Sequence, residues 1–96
     1  LPEARDALKK AVSLAPNQAR FWYNLGLAEN HLGDSTSALN ALERAEQLDP
    51  SAADYPYSRA TIYLGLNQPE QAKAALRHAL RIDPNHAQAK RLLNEL

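Results

Sequence analysis

The stretch EQLDPSA, residues 46–52, returns thirty-four residues later as LRIDPNH (80–86) and thirty-four residues earlier as VSLAPNQ (12–18). An apolar residue, a short residue and a proline recur at one interval. Sliding the chain on itself by that interval brings whole columns into register. Pro16, Pro50 and Pro84 align, as do Leu14, Leu48 and Ile82, and Leu8, Leu42 and Leu76. Four columns are alanine throughout: Ala4 with Ala38 and Ala72, Ala7 with Ala41 and Ala75, Ala11 with Ala45 and Ala79, Ala19 with Ala53 and Ala87. Alanine supplies 18 of 96 residues, so one such column would carry little weight; four at the offset of a proline column carry a great deal. Self-similarity at a fixed period is the mark of a repeat architecture.

The columns have a helical reading. Ala4, Leu8, Ala11 and Ala15 follow the spacing of one helical face, and Ala38, Leu42, Ala45 and Ala72, Leu76, Ala79 repeat it. Small residues on that face let a neighbouring helix approach closely while the leucine fills the gap. Proline cannot continue a helix and biases its predecessor away from helical geometry, so these segments are expected to stop at Ala15, Asp49 and Asp83. Pro2 and Pro69 suit a first helical turn, where a missing N–H costs nothing. Asp34, followed by Ser35 and Thr36, offers an N-cap. Between the proline-terminated helices lie others, at about 19–32, 55–66 and 87–96, with Gly33 and Asn67 at left-handed C-cap positions. Short turns between helices of this length read as antiparallel hairpins. No segment shows sustained two-residue alternation, so the expected class is all-α.

Composition narrows the function. Ninety-six residues make one small domain or a piece of a larger protein, and the opening Leu1-Pro2-Glu3 reads as an excised piece. Eleven Lys plus Arg balance eleven Asp plus Glu, so no basic excess marks a nucleic-acid binder. The charge is uneven: residues 1–20 carry four basic and two acidic groups, residues 21–50 one and five, residues 51–96 six and four. No apolar run approaches the roughly 20 residues needed to cross a membrane, and no basic-then-apolar leader opens the chain. The expected setting is aqueous, a bacterial cytoplasm or periplasm. With no cysteine there is no disulfide, thiolate zinc site or cysteine nucleophile.

At WYNLGLAENHLGDSTSALNALERAEQLDP, residues 22–50, the sequence resembles the tetratricopeptide repeat, whose pattern is W-x2-L-G-x2-Y…A-x3-F…P. Trp22, Leu25, Gly26, Ala38, Leu42, Ala45 and Pro50 fall on it; Leu42 replaces the Phe and Glu29 the Tyr. Over 53–86, Ala60 stands for the glycine, Tyr63 for the tyrosine, and Ala72, Leu76, Ala79 and Pro84 complete the second helix. Pro56 replaces the tryptophan there and Arg59 the leucine. Residues 1–18 resemble the second helix of a preceding unit and 87–96 a short closing helix, so the organisation is one domain over 1–96 with full units at 19–52 and 53–86. The resemblance implies about six helices in a right-handed superhelix of stacked hairpins, whose first helices line a concave side. Solenoids of this kind present extended binding surfaces.

The same resemblance, with helical spacing, selects candidate partner-binding residues. The core of helix 19–32 takes Trp22, Leu25, Gly26 and in part Glu29, leaving Arg20, Tyr23, Asn24, Leu27, Asn30 and His31 on the opposite stripe. The equivalent stripe on helix 55–66 is Asp54, Tyr57, Ser58, Thr61, Leu64 and Gly65. Tyr23 and Tyr57 occupy one repeat column, and tyrosine couples apolar area to a hydroxyl at low entropic cost. The bland reading is that both pack between helices. Some members of the family hold a C-terminal carboxylate with a lysine/asparagine/arginine clamp. Only Asn24 fits that clamp, and the acidic Asp54 opposes it.

Arg59 is expected either to reach solvent or to pair with an acid such as Glu29 or Glu46, because an unpaired buried guanidinium costs several kcal/mol. His31, His78 and His86 are too dispersed for a zinc site, and neither paired acid–base carboxylates nor a glycine-rich phosphate loop is present. No cofactor, metal or catalytic residue is therefore assigned. Helix 2–15 lacks a hairpin partner and is expected to expose Ala4, Leu8 and Val12 to a further repeat or a second copy. The leading expectation is a protein-interaction module that holds a peptide of a partner protein. Its alternatives are an architectural or oligomerisation arm and an accessory domain of a larger enzyme or multi-haem electron carrier. DYPYSRATIYLGL (54–66) is faintly similar to repeats in multi-haem cytochrome-like proteins, although no CxxCH motif accompanies it.

Overall fold

The computed structural model describes residues 2–96; Leu1, which opens the expected domain, lies outside the described residues. Among these there are six helices and no strand: α1 (Pro2–Leu14), α2 (Ala19–His31), α3 (Ser35–Leu48), α4 (Asp54–Gly65), α5 (Pro69–Ile82) and α6 (Ala87–Glu95). They divide into two compact units, Leu1–Pro50 and Ser51–Leu96. In the first, α2 packs on α1 and α3; in the second, α5 packs on α4 and α6.

The helix ends follow from the residues expected to set them. α1, α3 and α5 stop at Leu14, Leu48 and Ile82, and the next residue in each case still donates its N–H to Ala11, Ala45 or Ala79 at 2.9 Å before the proline ends the ladder. α2 closes in a Schellman motif. Gly33 takes φ +88°, its N–H donates to the Asn30 carbonyl at 3.0 Å, and the Asp34 N–H reaches back to Glu29 at 2.9 Å. α4 closes in the same way through Asn67, at φ +59°, with Leu64 and Tyr63 as acceptors at 3.0 and 2.9 Å. Asp34 then caps α3, its Oδ1 accepting from the Ser37 N–H at 3.2 Å. Pro69 occupies the first turn of α5.

The first unit is built on a close approach. A Cβ added at Gly26 would stand 3.1 Å from both the Ala38 carbonyl oxygen and Leu42 Cγ, so α2 and α3 meet where a methyl group would need its neighbours to give by a few tenths of an ångström. Ala38, Leu42 and Ala45 are fully buried in consequence. Leu25 and Ala41 also join Val12 from α1, with Leu8, Phe21 and Trp22 packed around them. Trp22 also ties down the α1–α2 turn, its indole N–H donating to the Pro16 carbonyl at 2.8 Å.

In the second unit Ala60 takes the glycine's place and is fully buried, with Ala72, Ala75, Leu76, Ala79 and, from α6, Ala89. Pro56 fills the tryptophan column and is itself buried. It is the third residue of α4, where no N–H is needed for the helical ladder. Arg59 is half-buried and lays its guanidinium 6.0 Å from the Tyr63 ring centroid.

The expectation for α1 needs correction. Val12 is 8% exposed, because it turns towards Leu25 and Ala41, and Leu8 is half-buried beside it. The open positions are Ala4, Ala7 and Leu14, the last 77% exposed. Their column mates on α3 and α5 are buried or half-buried, since each of those helices has a hairpin partner preceding it. The same leucine column therefore has unequal weight along the chain. Replacing a fully buried leucine by alanine costs about 2–5 kcal/mol. Leu42→Ala and Leu76→Ala are expected in that range, and Leu8→Ala well below it, in urea unfolding followed by circular dichroism.

Candidate functional site

Helix α2 presents the expected stripe to solvent. Arg20, Asn30 and His31 are exposed, Tyr23 and Asn24 half-buried, and Leu27 is 40% exposed, large and apolar. The Arg20 guanidinium stands 5.8 Å from the Tyr23 ring centroid, a cation–π contact that holds the ring against a basic group.

On α4 the corresponding stripe is narrower than the sequence implies. Asp54 and Thr61 are exposed, and Tyr57 and Leu64 half-buried. Ser58 is only 8% exposed and leaves the face. It falls on the arc that also carries Tyr55 and Ile62, both buried, whereas helical spacing alone placed it with Asp54. Its carbonyl accepts from the Thr61 hydroxyl at 2.7 Å, which turns that side chain back onto its own helix.

A residue outside both stripes organises the α4 face. His86, 7% exposed, is the N-cap of α6, and its Nδ1 accepts from the Ala89 N–H at 3.1 Å. A backbone N–H only donates, so Nδ1 carries a lone pair and the proton sits on Nε2. From there the ring reaches Asp54 Oδ1 at 2.8 Å. The Tyr57 ring lies beside the imidazole, centroids 5.0 Å apart and planes tilted by 37°. The sequence offers one cue to this arrangement. In DPNH the histidine occupies the column of Gln18, the N-cap of α2, immediately before a helix.

Within the first unit the core carries a charge-bearing group. Glu29, in the tyrosine column, is 5% exposed, and its Oε1 accepts no hydrogen bond from any described residue. Burial pushes its carboxyl above the ordinary range, and the nearby Asp34 adds to this, against the opposing charges of Lys9 and Arg5 on α1. Asp34 itself is held below the ordinary range, chiefly by Ser37, whose side chain and backbone N–H both favour the carboxylate.

Two sequence profiles described as tetratricopeptide repeat match the chain, over residues 1–53 and 30–96. No curated protein sequence matches it. Among solved structures, a crystal structure of MamA superposes with TM-score 0.87 at 28% identity, covering 93% of this chain and 52% of that one. A second MamA structure gives 0.89 at 28% identity, covering 96% and 50%, so this chain spans about half the length of these two matches. An O-GlcNAc transferase from Thermobaculum terrenum matches with TM-score 0.83 at 29% identity, over 93% of this chain and 17% of the enzyme. PcrH, in complex with the chaperone-binding region of PopD, has the same fold at 22% identity and TM-score 0.91, covering 98% of this chain and 76% of that one. Among the described residues no helix is long and apolar enough to cross a membrane.

Glu29 departs from the profile inside the core and sets a pH dependence. It binds its proton more tightly in the folded than in the unfolded chain. Its contribution to stability is thus fully present below its ordinary value of 4.5 and is lost as the pH rises through the raised folded value. Glu29→Gln is therefore expected to unfold at higher urea concentration than the parent at pH 7, with the difference closing as the pH falls below about 4. Urea melts across that range would check it.

Proposed function

The chain belongs to the tetratricopeptide repeat family, and on that footing we propose that it is a protein-interaction module that takes up a peptide of a partner protein, each unit offering its own solvent-facing stripe, on α2 in the first and on α4 in the second. The observation that carries this reading is the composition of the stripes. Leu27 and Tyr23 on α2, and Tyr57 and Leu64 on α4, keep apolar and aromatic surface open among polar neighbours, which is what an extended peptide needs for anchoring. Structures with this fold lend support, since they include the first such repeat domain of RPAP3 bound to an HSP90 peptide and SycD with a peptide of the translocator YopD. Asp54 distinguishes this chain from a receptor for an acidic tail, because its carboxylate would repel one.

Peptides selected from a random display library on the immobilised chain provide the test. Tyr23→Ala is expected to weaken peptides that engage α2, and Tyr57→Ala those that engage α4, by about tenfold or more, as truncation of an anchoring aromatic does, while leaving the thermal melt in place. Unchanged binding by both variants overturns the reading.

A second reading rests on α1. Ala4, Ala7 and Leu14 lie open in columns that are covered elsewhere, so α1 offers a surface on which a further repeat or a second copy stacks. In this reading the segment is an architectural arm. Sedimentation velocity at rising concentration should show self-association that Leu14→Glu abolishes; a chain that stays monomeric throughout excludes the second copy.

A further inference from the structure

The two binding stripes carry opposite charges at one repeat column. Arg20 stands at that column on α2 and Asp54 on α4, each followed three residues later by a tyrosine. Around Tyr23 the cation is already spent on the ring. Around Tyr57 the anion is not.

Three observations define the α4 arrangement. First, His86 is neutral by geometry. Its Nδ1 accepts the Ala89 N–H and its Nε2–H donates to Asp54, so the imidazole orients the carboxylate without cancelling its charge. Second, only one carboxylate oxygen is used. Asp54 Oδ2 accepts no hydrogen bond from any described residue, and the side chain is 67% exposed. Third, the Tyr57 ring stands one helical turn along, half-exposed, with its hydroxyl free of hydrogen bonds to described residues and its position fixed against His86. An oriented carboxylate with an open oxygen beside an aromatic ring is the chemistry that recognises an ammonium or guanidinium group.

We propose that Asp54, oriented by His86 and flanked by Tyr57, is a subsite for a basic side chain, lysine or arginine, of the bound peptide. The proposal rests on the peptide-binding reading and specifies the charge of the ligand at α4. His86 acts as a positioning residue. It holds the aspartate from a buried site while fastening α6 to the same spot, and its repeat column has Ala52 thirty-four residues earlier, with no ring nitrogen to offer. The anionic subsite is thus a property of the second unit alone.

The test uses end-blocked decapeptides of alanine, glycine and leucine that differ at one central residue: lysine, acetyl-lysine or glutamate. Each is titrated into the isotopically labelled chain and followed by amide and Tyr57 ring shifts in NMR. The lysine peptide should perturb Asp54, Tyr57 and His86 and bind about three- to tenfold more tightly than its acetyl-lysine counterpart, the range expected of a partly exposed ion pair assisted by an aromatic face. The glutamate peptide should be weakest, and the preference should shrink as salt is added. Asp54→Asn keeps an acceptor for His86 and removes the charge; it should erase the lysine preference while leaving the amide spectrum of α6 in place. His86→Asn keeps a capping side chain and should retain α6 but reduce the preference. Equal binding of lysine and acetyl-lysine peptides at α4 overturns the subsite and leaves the peptide-binding reading standing. Failure of every peptide to perturb α4, or perturbation confined to α1, overturns both.

Discussion

The first unit depends on how closely two helix backbones approach one another. At Gly26 a hydrogen fits freely, and a methyl group would need Ala38 and Leu42 of α3 to give by a few tenths of an ångström. Every other feature of the α2–α3 pair follows from that spacing. The facing positions must be alanine, a single leucine fills the space left between the small residues, and a helix with this face must be followed by a sharp stop before the chain returns. Leucine and alanine buried to the last few per cent are the consequence. In the second unit Ala60 replaces the glycine and Pro56 the tryptophan, yet Leu76 is as fully buried as Leu42. The pairing tolerates changes in one partner so long as the small-residue face of the other is kept.

Much of this was legible in the sequence because it is periodic and local. The proline column set the three helix ends to within a residue, and Gly33 and Asn67 were identifiable as left-handed positions because few other residues take that conformation without strain. Three features were not legible, each for a physical reason. Val12 lies at the edge of a face whose width depends on how α1 rolls onto α2, and periodicity does not report roll. Ser58 shares a helical stripe with Asp54, but the arc of α4 that is buried is wider than one stripe. The link from His86 to Asp54 spans 32 residues and joins side chains of different helices. Weighing the histidines only as metal ligands, and setting them aside as too dispersed, gave no hint that one of them caps a helix with one nitrogen and orients a carboxylate with the other.

Glu29 shows how far the scaffold bends. Its column calls for a tyrosine, a ring with a polar tip that is satisfied when buried. A glutamate there has a shorter apolar stem and a carboxyl that loses its hydration. The fold tolerates it because Arg5 and Lys9 of α1 moderate the charge, although neither removes the effect of burial. Retention of Glu29 in the core means that α1 has an electrostatic as well as an apolar reason to remain on α2.

The repeat separates two kinds of constraint along one helix. Positions that face the hairpin partner are copied from unit to unit, since their side chains must fit the same gap. Positions outside that contact carry no such requirement, and there the copies diverge: arginine becomes aspartate at the exposed residues 20 and 54, and alanine becomes a buried histidine at residues 52 and 86. The products of these two changes, Asp54 and His86, meet within the second unit, where the histidine holds the aspartate. A histidine alone would cap α6 and do no more, and an aspartate alone would leave a freely rotating carboxylate. Together they fix a negative charge beside a tyrosine that both copies retain. The chemistry of this chain is therefore written where its repeats disagree, on a framework supplied by the positions where they agree.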